Sequence, residues 1–186
     1  MKKTLIGLLA LVMVSGFVAL AQADNPETVT VRVTITTAMG IELVSGGLID
    51  FGPMDAGATA VVVSSSTVIR NDGTGASQTY KMYADSPTGW TAGSEATHNT
   101  YVLQAAFNDT LPTVGDFDTL DNELGEDVGG EKTASDAVLT IDGDPNGANV
   151  AYDENRSIWY EFQPPLSSSE TGQQEITVTI TAITPL

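Results

Sequence analysis

The chain has 186 residues, with 24 Asp and Glu against 7 Lys and Arg, one His, no Cys and a formal net charge of −17. The missing cysteines exclude disulfides, Cys-ligated zinc, iron–sulfur clusters and thiol nucleophiles, and the charge has the wrong sign for a general basic surface that grips nucleic acid or anionic lipid. A hydrophobic content of 41% excludes wholesale disorder, and the length suits one domain with a real core.

Residues 1–23 read as a secretory signal peptide. Lys2 and Lys3 form a positive start, residues 5–20 form an apolar run, and Ala21-Gln22-Ala23 is a small-x-small cleavage site. Ala19-Leu20-Ala21 offers a cut two residues earlier. The competing reading is an uncleaved anchor, because the run approaches the length that spans a bilayer. The small-residue exit and the following Asp24-Asn25-Pro26 favour cleavage. Without Cys there is no lipoprotein anchor. Removing Lys2 and Lys3 from the seven basic residues leaves five against 24 acidic ones, a net of −19 for residues 24–186. An exported chain without disulfides depends on its core, its strand ladder, bound metal or its neighbours.

The first element after the signal is a strand. In residues 28–36, Val29, Val31, Val33 and Ile35 alternate with Thr and Arg. A strict period of two puts the aliphatics on one face. Shorter candidates follow at 41–44, 48–51, 58–63, 67–70, 78–84, 101–107, 137–141 and 157–163. Turn signals separate them at Ser45-Gly46-Gly47, Phe51-Gly52-Pro53, Asn71-Asp72-Gly73 and Ser86-Pro87-Thr88-Gly89. The last candidate, 175–182, alternates with Ile176, Val178 and Ile180 on its apolar side. A helical turn fits only within 112–121. Residues 111–135 and 142–155 are long acidic, Gly-rich connections, and 164–174 is a shorter link. Nine or ten short strands punctuated by turn formers predict a single antiparallel β-sandwich, Ig-like or jelly-roll, over residues 24–186. An outer-membrane barrel would need longer strands and aromatic girdles, which 6% aromatics do not supply.

Four groups of residues invite a chemical reading. Asp142-Gly143-Asp144-Pro145-Asn146-Gly147 followed by Asp153 has the alternating oxygens and turn glycine of a calcium loop, with Asp142, Asp144, Asn146 and Asp153 as ligands. Asp153 stands in place of a closing Glu, Pro145 stiffens the loop, and the flanks read as strands. The same residues also suit an ordinary acidic turn. A second acidic group, Asp116, Asp118, Asp121, Glu123, Glu126 and Asp127, collects a cation on one reading and is a solvated loop on the other. His98, the only histidine, lies in a polar loop, and no G-x-S-x-G elbow presents a nucleophile. Trp90, Trp159 and Tyr83 stack on sugar rings if they face outward, or close the ends of the core if they do not.

The two alternating strands at the ends of the domain carry a further expectation. Each can pair within its own sandwich or add to an open sheet edge of a neighbouring copy.

The export signal, the first alternating strand, Leu48-Ile49-Asp50-Phe51-Gly52, Val68-Ile69-Arg70-Asn71 and the final alternating strand together make the chain resemble exported Ig-like sandwich subunits of bacterial surfaces, of pilin and coat type. The order of an early Phe-Gly, Trp90 and a late strand bearing Trp159 is similar to that of cell-wall-binding WxL domains. Trp159 is followed by Tyr160-Glu161, so the W-x-L signature itself is missing, as is the Cys pair common in chaperone-assembled pilins. The resemblance implies a structural or adhesive surface role. The expected function is a non-enzymatic subunit of an extracellular fibre, coat or surface layer, with copies of itself or other surface proteins as partners. The alternative is a secreted carbohydrate-binding or adhesion module stabilised by calcium.

Overall fold

The computed structural model describes residues 27–37, 39–118, 120–142 and 146–185. The expected signal peptide lies outside the described residues, as does Asp144 of the acidic loop.

Eleven strands form two sheets. They are β1 (Glu27–Thr37), β2 (Ile41–Ser45), β3 (Leu48–Met54), β4 (Val61–Val62), β5 (Thr67–Asn71), β6 (Thr79–Asp85), β7 (Thr91–Ala92), β8 (Thr100–Phe107), β9 (Lys132–Thr133), β10 (Asn155–Gln163) and β11 (Gln174–Ile183). The first sheet runs β3-β1-β11-β6-β9. The second runs β2-β5-β10-β8-β7, with β4 continuing the line of β5 along β10. The described residues contain no α-helix and one short 3-10 turn, Glu126–Val128. No helix among them is long and apolar enough to cross a membrane.

The inner faces of the two sheets make one core. Val31, Ile49, Met82, Ile176, Val178 and Ile180 come from the first sheet, and Ile69, Leu103, Phe107, Ile158, Tyr160 and Phe162 from the second. Alternation decides which residues enter it, because successive side chains of a strand point to opposite faces. A ring cluster lies near one end. Phe162 stacks on Trp90 at 6.4 Å between centroids and meets Tyr101 at 5.9 Å and Phe51 at 5.2 Å.

The all-β sandwich is as expected, but its sheets are mixed instead of purely antiparallel. β1 and β11 run parallel over nine residue pairs, from Val29↔Gln174 to Thr37↔Ala182. β7 is also parallel to β8. Alternation assigns a face to each residue and is blind to strand direction. Residues 137–141, expected as a strand, form bends instead. Ser135 Oγ accepts hydrogen bonds from the N–H groups of Ala137 and Val138, and Leu139 adopts a left-handed φ of 57°. Only Thr140 reaches a β-bridge, to Phe107.

Candidate functional site

The residues expected to drive assembly lie on β1, which is an inner strand. It pairs antiparallel with β3 on one side and parallel with β11 on the other. Val29 and Val31 are fully buried, Val33 is nearly so, and Ile35 packs half-buried against the core. Register sets Val31 beside Ile176, Val33 beside Val178 and Ile35 beside Ile180, so the aliphatic rows of both strands coincide. On the outer face Arg32 forms an ion pair with Glu175. The ladder of β1 is thus completed within its own chain.

The open edges differ from one another. On β3 the register shifts opposite Val29 and Thr30, Asp50 Oδ1 accepts the Gly52 N–H at 2.8 Å, and Pro53 has no N–H to offer. A bulge, a charge and a proline are standard protections of an edge strand. β2 is less guarded. Leu43 and Val44 are exposed, and Leu48 at the start of β3 is 60% exposed. β2 and β3 meet at Gly46, whose φ of +72° and close approach to the Ser66 carbonyl leave no room for a Cβ. The edges of both sheets therefore converge on one corner that carries three exposed aliphatic side chains. Periodicity does not reveal this corner, because it does not identify which strands are at the edge.

Both tryptophans are buried. Trp90 is 3% exposed and donates from Nε1 to Ser168 Oγ at 2.9 Å. Trp159 is 9% exposed, donates to the Asn108 carbonyl at 2.9 Å and packs with Ala106 and Phe117. Neither presents an open ring face for a sugar. Tyr83 is half-buried on the outer face of β6, beside Thr179. The three aromatics do not form one platform.

Two of the expected calcium ligands, Asn146 and Asp153, have other partners. Asn146 donates to Asp136 Oδ1 at 2.9 Å, and its Oδ1 accepts the Ala148 N–H at 2.7 Å. Asp153 sits at a left-handed φ of 63° and pairs with Arg70 at 3.1 Å. Asp142 is exposed. Among the described residues no three His, Asp or Glu side chains gather as a metal site. In the second acidic group, Asp116 Oδ2 accepts from both the N–H and hydroxyl of Thr113, which holds its carboxyl below the usual range. Asp118 Oδ1 accepts from the N–H of Leu120 and of Asp121. These carboxylates cap turns of their own loop.

His98 Nδ1 lies 3.0 Å from Ser167 Oγ, and both are exposed. The contact belongs to a staple between two loops. Asn99 N–H donates to the Ser167 carbonyl at 2.8 Å, and Leu166 N–H donates to the Thr97 carbonyl at 2.9 Å. No ion pair among the described residues involves His98, so none of their carboxylates orients its ring as the acid of a catalytic triad does.

A covered polar row lies on the outer face of the second sheet. Glu161 on β10 is the register partner of Gln104 on β8, and Gln104 is bridged on its other side to Glu123. Their exposures are 8%, 3% and 4%. Glu161 Oε2 accepts the Gly115 N–H at 3.1 Å. Among the described residues, Glu123 Oε1 and Gln104 Nε2 find no hydrogen-bond partner. Burial raises the carboxyl pKa of both Glu123 and Glu161. The alternation of Ser157, Trp159 and Glu161 places a tryptophan and a glutamate on an outer face, the one sequence signal that this face is covered.

Fold and site together define a disulfide-free, two-sheet all-β sandwich whose first and last described strands lie side by side. No family model matches the chain, and no curated protein sequence is significantly similar to it.

Proposed function

We propose that the chain is an exported, non-enzymatic structural subunit of an extracellular fibre, coat or surface layer, and that copies join by exchange of β1. The observation that carries this reading is the position of β1. It comes first in chain order among the described strands, yet it occupies an inner place between β3 and β11. Its departure draws no other strand through a loop and opens a slot bordered by two ladders. A second copy's β1 fills that slot with the same register and the same buried row of Val29, Val31 and Val33. Each such valine is worth about 1.5–3 kcal/mol of burial, so an empty slot is strongly disfavoured and a refilled one is not. The signal peptide supplies the route outside, and the absence of cysteine leaves assembly as a source of stability.

Deletion of residues 24–37 tests the reading. The truncated protein is expected to form no polymer by negative-stain microscopy, while a synthetic peptide of residues 27–37 restores a soluble folded monomer. Polymer formation at the parental level by the truncated chain overturns the proposal.

A further inference from the structure

The segment of residues 112–118 crosses the outer face of the second sheet. Phe117 packs on Ala106 and Trp159, with Val62 and Ile141 at the margin. Gly115 is tied to Glu161, and Trp159 ties the preceding Asn108. Further along, Ala105 N–H donates to the Asn122 carbonyl and Leu124 N–H to the Leu103 carbonyl, each at 2.9 Å. This pairing presents Glu123 beside Gln104 on the same outer face.

The charges beneath and around this segment are unbalanced. Asp116 adds to the negative field at Glu161, and Asp118 to that at Glu123. Among the described residues, Lys132 on β9 is the basic group that acts on Glu123, and its ammonium donates to the Leu120 carbonyl. Across the strands Glu161 is flanked by Val62 and Gln104, neither of which titrates. Among the described residues, two carboxyls more than nine-tenths buried therefore have no salt-bridge partner, and one keeps an unpartnered oxygen. A buried ionised carboxylate without a paired charge opposes its own burial.

We propose that residues 112–118 form an acid-closed strap, held over Ala106 and Trp159 while Glu161 and Glu123 are neutral and released as they ionise. The closed strap binds more protons than the open one, because burial raises both carboxyls. Closure is therefore most stable below the ordinary carboxyl range of about 4.3 and weakens as pH rises through the raised values. Release uncovers an apolar strip on an otherwise acidic surface. The device stands independently of strand exchange, since it uses β8 and β10 and leaves β1 in place.

Hydrogen exchange of the full chain at pH 4.5 and 7.5, corrected for the intrinsic pH dependence of amide chemistry, tests it. Amides of residues 113–118 are expected to exchange at least about tenfold faster at the higher pH, while those of Ile176–Ile180 stay protected at both. Glu123→Gln with Glu161→Gln is expected to remove the difference, and Glu95→Gln to leave it. Equal protection of 113–118 at both pH values overturns the proposal. So does an unchanged pH dependence in the double variant, or a parallel loss at Ile176–Ile180, which would make the opening global.

Discussion

Val33 on the first strand and Val178 on the last are register partners in a parallel pair, both on the core face of the sheet. The first and last described strands are thus joined by a ladder of backbone hydrogen bonds and a shared aliphatic row. The next pair along, Val31 and Ile176, is fully buried. Ile176→Ala should cost about 2–5 kcal/mol of stability, because it removes methyl groups from a packed site and leaves a cavity. Thr177→Ala, on the outer face of the same strand, should stay within about 0.5 kcal/mol. Denaturant midpoints of the two variants distinguish these outcomes.

The tryptophans should behave as core residues of different reach. Trp90→Ala removes the ring that stacks on Phe162 in the main core, and should cost about 3–5 kcal/mol. Trp159→Ala empties the small cluster under residues 112–118. It should speed proteolysis in that segment before the main core unfolds. Limited digestion followed by mass spectrometry reads the second effect.

Much of this was legible from alternation alone. Val29 to Ile35, Ile176 to Ile180 and the paired runs around Tyr80 and Ile158 read as strands because β-branched and aromatic residues recur every second position. The direction of β11 against β1 was not legible, since the pattern is the same read either way. The burial of Glu161, Gln104 and Glu123 was hidden for another reason. Polar residues on an outer face read as solvated unless the covering loop is known, and residues 112–118 have no period to announce where they dock. Trp90 and Trp159 fit either side of a sheet, and only the neighbours Phe162 and Phe117 decide.

Asn71 is fully buried at the end of β5 and holds two loops. Its Nδ2 donates to the carbonyls of Ala76 and Val150 at 2.8 and 2.9 Å, and its Oδ1 accepts the Gly73 N–H at 2.9 Å and an amide hydrogen of Gln78. Asn71→Ala leaves these groups without partners under cover. The expected cost is about 1–3 kcal/mol, measured by chemical denaturation.

Tyr80 should contribute to the alkaline limit alongside Tyr160, whose hydroxyl pKa burial also raises. The Tyr80 hydroxyl is buried without a partner, and burial pushes its pKa up to about 12. The folded state therefore holds its proton where the unfolded chain releases it. Stability should fall as pH rises from about 10, the ordinary tyrosine value, towards 12. Tyr80→Phe should remove this contribution, and melting curves at pH 9 and 11 compare the two.

Approach of two copies should depend on salt. Arg32, Arg70, Lys81 and Arg156 form ion pairs within the chain, and Lys132 bonds to the Leu120 carbonyl. The remaining carboxylates repel a second acidic copy. Raising ionic strength from about 0.01 to 0.1 M shortens the screening length from about 30 to about 10 Å. Self-association of residues 24–186 by light scattering should accelerate over that interval, and calcium or magnesium should act at lower concentration than sodium.

The exchange of β1 is tested most directly by trapping its register. Thr34 and Thr179 are partners on the outer face of β1 and β11, and the chain contains no cysteine to interfere. Adjacent strands bring such a pair within disulfide reach. Oxidation of assembled Thr34→Cys, Thr179→Cys protein should give a ladder of disulfide-linked multimers in a non-reducing denaturing gel, because each β1 lies beside another copy's β11. Assembled material that runs only as internally cross-linked monomer, or a protein that never assembles, would contradict the account.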